Sequence, residues 1–450
     1  MNDNDRSIVA LVMTAHGMVH TYELSIPIFM TAWLAKMEVS EAVLGGLVGA
    51  GYFLFGAGAL PGGILADRFG SRRLIACCFA GMGGAFVLLG LLPGLWGLGA
   101  ALVAWGAAAS VYHPAGLALI STGVRQRGRA LAYHGIAGNV GIAGGPLATA
   151  LLLLVFDWPT VALLLGLPAL AAAVGALRAS FDEAAAVGLH EASDGADAAT
   201  PSEAQHLTAL WRRTRHLFAT GFAAVFALVA LSGLYYRGVL TFLPDLLTPL
   251  VTVDLPIDVA AGRYVYAGLL AVGIGGQYVG GRLSDREGTE RMLAGALAVL
   301  AGVAAVFLPV AALGTGALLA VSAVLGFFLF LVQPLYQATV AKYTPPDARG
   351  LSYGYTYLAV FGVGALGAAL AGTLLQGAGP TLLFGVLAGP RSRSERPAVR
   401  CERRTASPPL TPAPSSAMPA STPKRSVGPA PCRSVPARAA PSAPTPKTAR

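Results

Sequence analysis

Three ionisable side chains stand in the first apolar run of this chain: His16, His20 and Glu23. Spaced four and three residues apart, they fall on one face of a helix. An imidazole exchanges its proton near neutrality, and a carboxylate withdrawn from water can be brought toward the same range. Such a stripe can therefore accept and pass protons. Pro27, four residues beyond Glu23, continues the stripe and is expected to kink the helix. The alternative is structural, with the histidines tying this helix to its neighbours. A charge at the centre of a bilayer costs ~2.5–3.5 kcal/mol on insertion scales, so three such groups at one depth favour the functional reading. A second buried-depth charge, Arg237, follows Tyr236 as Glu23 follows Tyr22. Either the two charges face one another across a cavity, or Arg237 snorkels to an interface. His113, set before Pro114, and Asn139, Gln333 and Gln337 are further candidates for a polar cavity; His134, Tyr336, Tyr353, Tyr355 and Tyr357 are weaker ones.

The elements that carry these groups are apolar runs long enough to cross a bilayer, about 20 residues each. They fall at about 8–34, 42–63, 72–93, 95–122, 130–155 and 158–178, then at 217–248, 262–283, 292–310, 314–341 and 350–376. A last run from Thr381 stops at about half the length a crossing needs. Of the 450 residues 55% are hydrophobic and only 12% charged, with a mean hydropathy of +0.64. A soluble chain carries about 25% charged residues, so this one lacks the polar surface to face water and must face lipid. The plan is an all-α integral membrane protein: a six-helix bundle over 1–178, a hydrophilic linker over 179–216 and a second bundle over 217–389 with its twelfth helix truncated.

The net charge of +9 does not indicate a nucleic-acid partner. Residues 391–450 hold 12 of the 31 Lys and Arg residues, leaving the body with 19 basic and 20 acidic groups. Residues 390–450, with 14 of the 30 prolines, read either as a disordered basic tail or as the product of an altered reading frame near 389. Cys77 and Cys78 are adjacent within an apolar run and lack metal-ligand spacing, so neither a metal centre nor a cofactor is expected. The polar start MNDNDRS leads into a series of spans and does not read as a cleavable leader. Motifs of membrane enzymes are absent: there is no H-E-x-x-H, no G-x-S-x-G and no phosphate-cradling loop.

Basic residues settle the expected orientation. Fifteen Lys and Arg side chains, from Arg68 to Arg349, fall in the even-numbered connections, against Lys36 and Arg263 in the odd ones. The positive-inside rule then places the amino terminus and the linker in the cytoplasm, in a cytoplasmic (inner) membrane. Two of those loops repeat one pattern. Gly63-Ile-Leu-Ala-Asp67-Arg68-Phe-Gly70, followed by Arg72, matches Gly281-Arg-Leu-Ser-Asp285-Arg286-Glu-Gly288 as G-x-[IL]-x-D-R-x-G. The two aspartates lie 218 residues apart, and Glu23 and Arg237 lie 214 apart, so the charges occupy nearly equivalent places in two matching halves.

This doubled loop resembles the signature of the major facilitator superfamily, a likeness that covers about 1–389. It implies a secondary transporter, expected as a monomer, in which Asp67, Arg68, Asp285 and Arg286 pair with neighbouring helix ends and latch one face. Gly63, Gly70, Arg72 and Gly281 belong to the same latch. Within the superfamily, His16-Gly-Met-Val-His20 with Tyr22-Glu23-Leu, Tyr112-His113-Pro114-Ala-Gly, and Gly138-Asn139-Val-Gly141 through Pro146 are similar to fosmidomycin-resistance-like exporters. The last of these runs ends Leu-Ala-Thr-Ala where the antiporter signature has paired glycines. Trp105-Gly106-Ala107 stands where many drug antiporters carry a proton-coupling arginine. The expected function is proton-coupled export of a small, anionic or drug-like solute by alternating access. Uptake of an organic acid or sugar is the alternative, and a polytopic receptor or scaffold the alternative from another class. The expected partners are a small solute, protons and the lipid bilayer.

Overall fold

Helix is the only regular structure that satisfies its own backbone in lipid, short of a closed barrel. The computed structural model describes residues 1–186, 203–252, 260–344 and 349–389, and among these residues there are helices and no strands. The first half begins with α1 (Asp3–Lys36), whose N-cap Asn2 accepts from the Asp5 amide at 2.7 Å. Next come α2 (Glu41–Ala57) and α3 (Ala59–Phe69), one span bent by 48°. After α4 (Ser71–Leu91), α5 (Leu95–Ser110) and α6 (Tyr112–Gly123) make a second span in two pieces, followed by α7 (Arg127–Leu152) and α8 (Trp158–Arg178).

The second half begins with α9 (Glu203–Phe218), which leads into α10 (Phe222–Leu240) and the short α11 (Leu243–Leu247). Then follow α12 (Gly262–Ser284), α13 (Thr289–Ala311), α14 (Thr315–Lys342), α15 (Arg349–Tyr357) and α16 (Leu366–Leu387). A π turn over Leu358–Gly362 and a 3-10 turn over Val363–Ala365 join α15 to α16. Inside α16 the backbone leaves helical geometry at Gly379, where φ is 70°, so residues 380–387 are a separate stub before the described chain ends. That stub falls at the short last run expected from Thr381.

Eight of these helices are long and apolar enough to cross a membrane, or nine counting the bent α2–α3 pair as one span. Helices α1 and α12 have the length, at 34 and 23 residues, but carry the polar groups described below. Burial divides into two cores. One gathers Trp33, Phe79, Trp105 and Tyr112 of the first half; the other gathers Phe222, Tyr266, Phe307 and Phe330 of the second. Each core borrows a few residues where the halves meet, Phe242 and Ala368 in the first, Leu24 and Ile142 in the second. Large apolar side chains such as Ile64, Val140, Leu167 and Leu231 are exposed, as suits a surface that faces acyl chains.

The linker is more ordered at its ends than a solvated segment needs to be. Asn4 donates through Nδ2 to the carbonyl oxygens of Gly123 and Asp182, both at 3.1 Å, and accepts from the Asp182 amide at 2.7 Å. The Thr122 hydroxyl donates to the Glu183 carbonyl at 2.7 Å. Residues 187–202 of the linker and the tail over 390–450 lie outside the described residues.

Candidate functional site

A cavity of about 570 Å³ lies between the two halves. Its wall takes His16, His20 and Glu23 from α1, His113 from α6, and His134 and Asn139 from α7. The facing half supplies Gln277 of α12, Gln333, Tyr336 and Gln337 of α14, and Tyr353 and Tyr357 of α15. The lining reaches Leu131 in the opening turns of α7 and Tyr353 in α15, while no residue of α1 beyond Glu23 contributes. The cavity therefore occupies the half of the molecule on the amino-terminal side. On the other side the halves are joined: Arg263 of α12 donates through Nε to the Thr31 hydroxyl at 2.7 Å, and the Tyr264 hydroxyl to the Ala150 carbonyl at 3.4 Å. Helix α2 also lies so close to α16 that a Cβ at Gly45 would stand 2.6 Å from the Ala368 carbonyl oxygen.

Glu23 lines the cavity, and Arg237, expected there too, is buried behind the lining, where it meets Glu23. Arg237 donates through Nη2 to Oε1 of Glu23, and both side chains are buried, at 2% and 1% exposure. Arg237 therefore pairs across the halves and does not snorkel to an interface. Its guanidinium carbon lies 3.7 Å from the ring centroid of Tyr52 and 5.7 Å from that of Phe361. Tyr52 in turn donates to the Glu23 carbonyl at 3.0 Å. A planar, always charged guanidinium held between aromatic faces and a carboxylate is the arrangement that compensates for lost hydration.

A chain of contacts leads from this ion pair into the cavity. The second oxygen of Glu23, Oε2, is 2.6 Å from Nδ1 of His20, and Nε2 of His20 is 3.1 Å from Nε2 of His16. Nδ1 of His16 donates to the carbonyl of His134 at 2.7 Å. The His134 ring lies flat on that of His16, with centroids 3.7 Å apart. Gly138 makes room for this assembly, since a Cβ there would sit 2.5 Å from Cε1 of His16. His113 comes within 5.5 Å of His16 and 5.6 Å of His20 by ring centroid, and packs on Tyr357 at 4.9 Å. Asn139, Gln333 and Gln337 line the same space without joining the network among the described residues.

Several partners were missed from sequence. Tyr52 is one tyrosine in an apolar run with no polar neighbour to mark it. His134, only a weaker candidate from sequence, is 8% exposed, and its Nε2 has no hydrogen-bond partner among the described residues. Asp5, 1% exposed, accepts from the amides of Arg125 and Gln126 at 3.2 and 3.4 Å, although nothing in its polar surroundings distinguishes it.

The repeated loops lie on the amino-terminal side. Asp67, Arg68, Asp285 and Arg286 are exposed, and among the described residues none makes an ion pair. The latch implied by the family resemblance is therefore not seen as ion pairs among the described residues. One local clamp remains. Arg72 donates to the Ala179 carbonyl at 2.5 Å, and Glu183 accepts from the amides of Ser71 at 2.8 Å and Arg72 at 3.4 Å, capping α4 after the turn at Gly70. Gly63 and Gly281 have open space where a Cβ would sit.

Comparison with known proteins agrees with the fold. The family model described as Major Facilitator Superfamily matches residues 5–389. The puromycin resistance protein pur8 of Streptomyces alboniger is 39% identical over 107 residues, which cover 23% of this chain and 21% of that protein. The chain thus matches only about a fifth of that relative's length. Among solved structures, a bacterial homolog of the human lysosomal transporter Spinster, inward-facing and unoccupied, superposes with a TM-score of 0.66 at 15% identity, covering 83% of each chain. The nucleoside transporter NupG gives 0.67 at 12% identity, covering 85% of this chain and 96% of its own. A D-xylose-proton symporter gives 0.65 at 13%, covering 86% and 96%. At such identities these likenesses speak to the fold.

Proposed function

This chain belongs to the Major Facilitator Superfamily, and on that premise we propose that it exports a small anionic or amphipathic solute in exchange for protons. It is a multi-pass membrane transporter and not an enzyme. The observation that carries the finer reading is the buried pair of Glu23 and Arg237, one charge from each half, beside the cavity. Either a proton on Glu23 or an anionic solute at Arg237 breaks the pair, so the passage outward with solute and the return with a proton can alternate, while the intact pair holds the protein in one state. Only a ligand that differs in affinity for the two states can shift them, and both events meet that condition.

The basic loops support a cytoplasmic amino terminus in an inner membrane, so the cavity faces the cytoplasm, where an exporter loads. The local likeness to a puromycin resistance protein supports the outward direction. In this reading Asp67, Arg68, Arg72, Asp285 and Arg286 close the amino-terminal face in the opposite state, His113, Asn139, Gln333 and Gln337 contact the solute, and the chain works as a monomer.

The test is transport in proteoliposomes under an imposed pH gradient, with phosphonates, drugs and organic acids as the panel. Export driven by the gradient is expected for the wild type, and Glu23→Gln should lose the gradient dependence. Accumulation down the proton gradient in the same direction as the proton would make the protein an uptake symporter. Unchanged pH dependence in Glu23→Gln would remove the relay.

A further inference from the structure

The histidines of the cavity are arranged more closely than proton passage requires. His16 and His20 of α1 and His113 of α6 each bring a ring nitrogen into one cluster, and these nitrogens all lie within 4.8 Å of one another. The hydrogen atoms of two of the rings can be assigned. Nδ1 of His16 faces a backbone carbonyl at 2.7 Å, which can only accept, so this nitrogen carries a hydrogen. Nδ1 of His20 faces Oε2 of Glu23 at 2.6 Å, and an ionised carboxylate likewise only accepts. In neutral rings both Nε2 atoms then present lone pairs, 3.1 Å apart and facing each other. Two lone pairs at that distance repel unless a positive centre lies between them.

We propose that His16, His20 and His113 form a binding site for a divalent first-row transition cation of the Zn²⁺, Ni²⁺ and Co²⁺ class. Zinc–imidazole bonds of about 2.0–2.1 Å in tetrahedral geometry set neighbouring nitrogens roughly 3.3 Å apart; the His16 and His20 nitrogens are already 3.1 Å apart, and that of His113, within 4.8 Å of both, has to draw in. Metal-bound histidines as a rule donate their other ring nitrogen to a carboxylate or a backbone carbonyl, and His20 and His16 do one of each. His113 supplies the third ligand. It is 5% exposed, lines the cavity, and makes no hydrogen bond among the described residues, so its ring nitrogens are uncommitted. Its ring is inclined by 90° to that of His16 and 65° to that of His20, as rings converging on one centre are.

His134 is not a ligand. It lies parallel to His16 at 13°, so its nitrogens run beside the site, and its contribution is the carbonyl that orients His16. Three neutral imidazoles suit borderline cations and not the hard Mg²⁺ or Ca²⁺. A fourth position faces the cavity and is open to water or to an oxygen of a bound solute. Because Arg237 already balances Glu23, the cation would leave the cavity positive, favouring an anionic chelating solute.

The inference stands on the histidine geometry alone and does not require proton coupling. The experiment uses the full chain, purified on a tag free of histidine, stripped with chelator and titrated with Co²⁺ while its visible d–d absorption is followed. One equivalent with a tetrahedral spectrum is expected, displaced by Zn²⁺. His16→Ala, His20→Ala and His113→Ala should each abolish the spectrum. Glu23→Gln, which keeps the ligands but weakens their orientation, should cost about 10–100-fold in affinity. His216→Ala, in α9 and outside the cavity, should bind as the wild type does. Size-exclusion profiles and melting temperatures identify any variant that has failed to fold, and Glu23→Gln keeps the test decisive if an alanine variant does. Absence of the absorption band in the wild type means that a proton alone fills the gap and overturns the proposal. Binding that survives His113→Ala and His16→Ala, or that is lost in His216→Ala, places the metal elsewhere and overturns it too. Loss of pH-driven transport with cobalt binding intact would sink the coupling reading and leave this site standing.

Discussion

Arg237 is held by a carboxylate from the other half and by the face of Tyr52, in a region where an unpaired charge is costly. Breaking a buried pair by removing one partner typically costs 3–5 kcal/mol, because the remaining charge is left uncompensated. Arg237→Ala should therefore lower stability by about that amount, read as a large fall in melting temperature in detergent. Arg237→Lys should rescue only part of it, since an ammonium lacks the planar face that lies over the tyrosine ring. Tyr52→Phe retains the ring and loses only the bond to the Glu23 carbonyl, a change of about 0.5–1.5 kcal/mol. Equal losses for Tyr52→Phe and Tyr52→Leu would show that the aromatic face contributes nothing.

At the scale of elements, the first half of the site was readable because its groups share one helix. His16, His20 and Glu23 fall on a single face by spacing alone, and the doubled loops gave the offset that paired Glu23 with Arg237. What could not be read is contact between helices distant in sequence. His113 and His134 approach His16 only because α6 and α7 pack on α1, and no local pattern encodes that approach. The bend within α2–α3 was likewise invisible, since hydropathy runs through it without interruption. Close approach makes Gly138 a sensitive position: Gly138→Ala should displace the His16 ring and reduce transport while leaving the chain folded, checked by the solute flux and melting curve together.

The short α11 offers a test of linkage. Burial pushes the Asp245 carboxyl up, the charge of Glu41 adds to this, and the Arg263 guanidinium opposes it. A carboxyl whose folded value is raised weakens the folded state while ionised, and the penalty is relieved as pH falls through that value. Asp245→Asn should therefore raise the melting temperature at neutral pH, with the gain fading on acidification. A gain that grows in acid would contradict the assignment.

On the scale of the whole molecule, the halves enclose a cavity on the amino-terminal side and are joined by hydrogen bonds on the other. Thr31→Cys with Arg263→Cys, in a chain whose native Cys77, Cys78, Cys401 and Cys432 are replaced, should be cross-linked readily by a short bifunctional thiol reagent in the resting protein, because Thr31 and Arg263 are already in hydrogen-bond contact. Addition of a transported solute and a pH gradient should slow that cross-link as the other state becomes populated. Indifference to both would mean that this side never opens.

The π turn over Leu358–Gly362 gives the wall of the cavity a residue of slack. Such turns absorb one surplus residue within an α-helix, and relaxing one back to α geometry rotates the attached segment by roughly 100°. Here Tyr357 precedes the turn and Phe361 lies within it, both packed on His113, and Phe361 also lies near Arg237. Unwinding that single residue would wring α15 about its own axis and carry one aromatic plate away from the other. A helix end could thus turn beside the solute without any hinge in the remainder of the half.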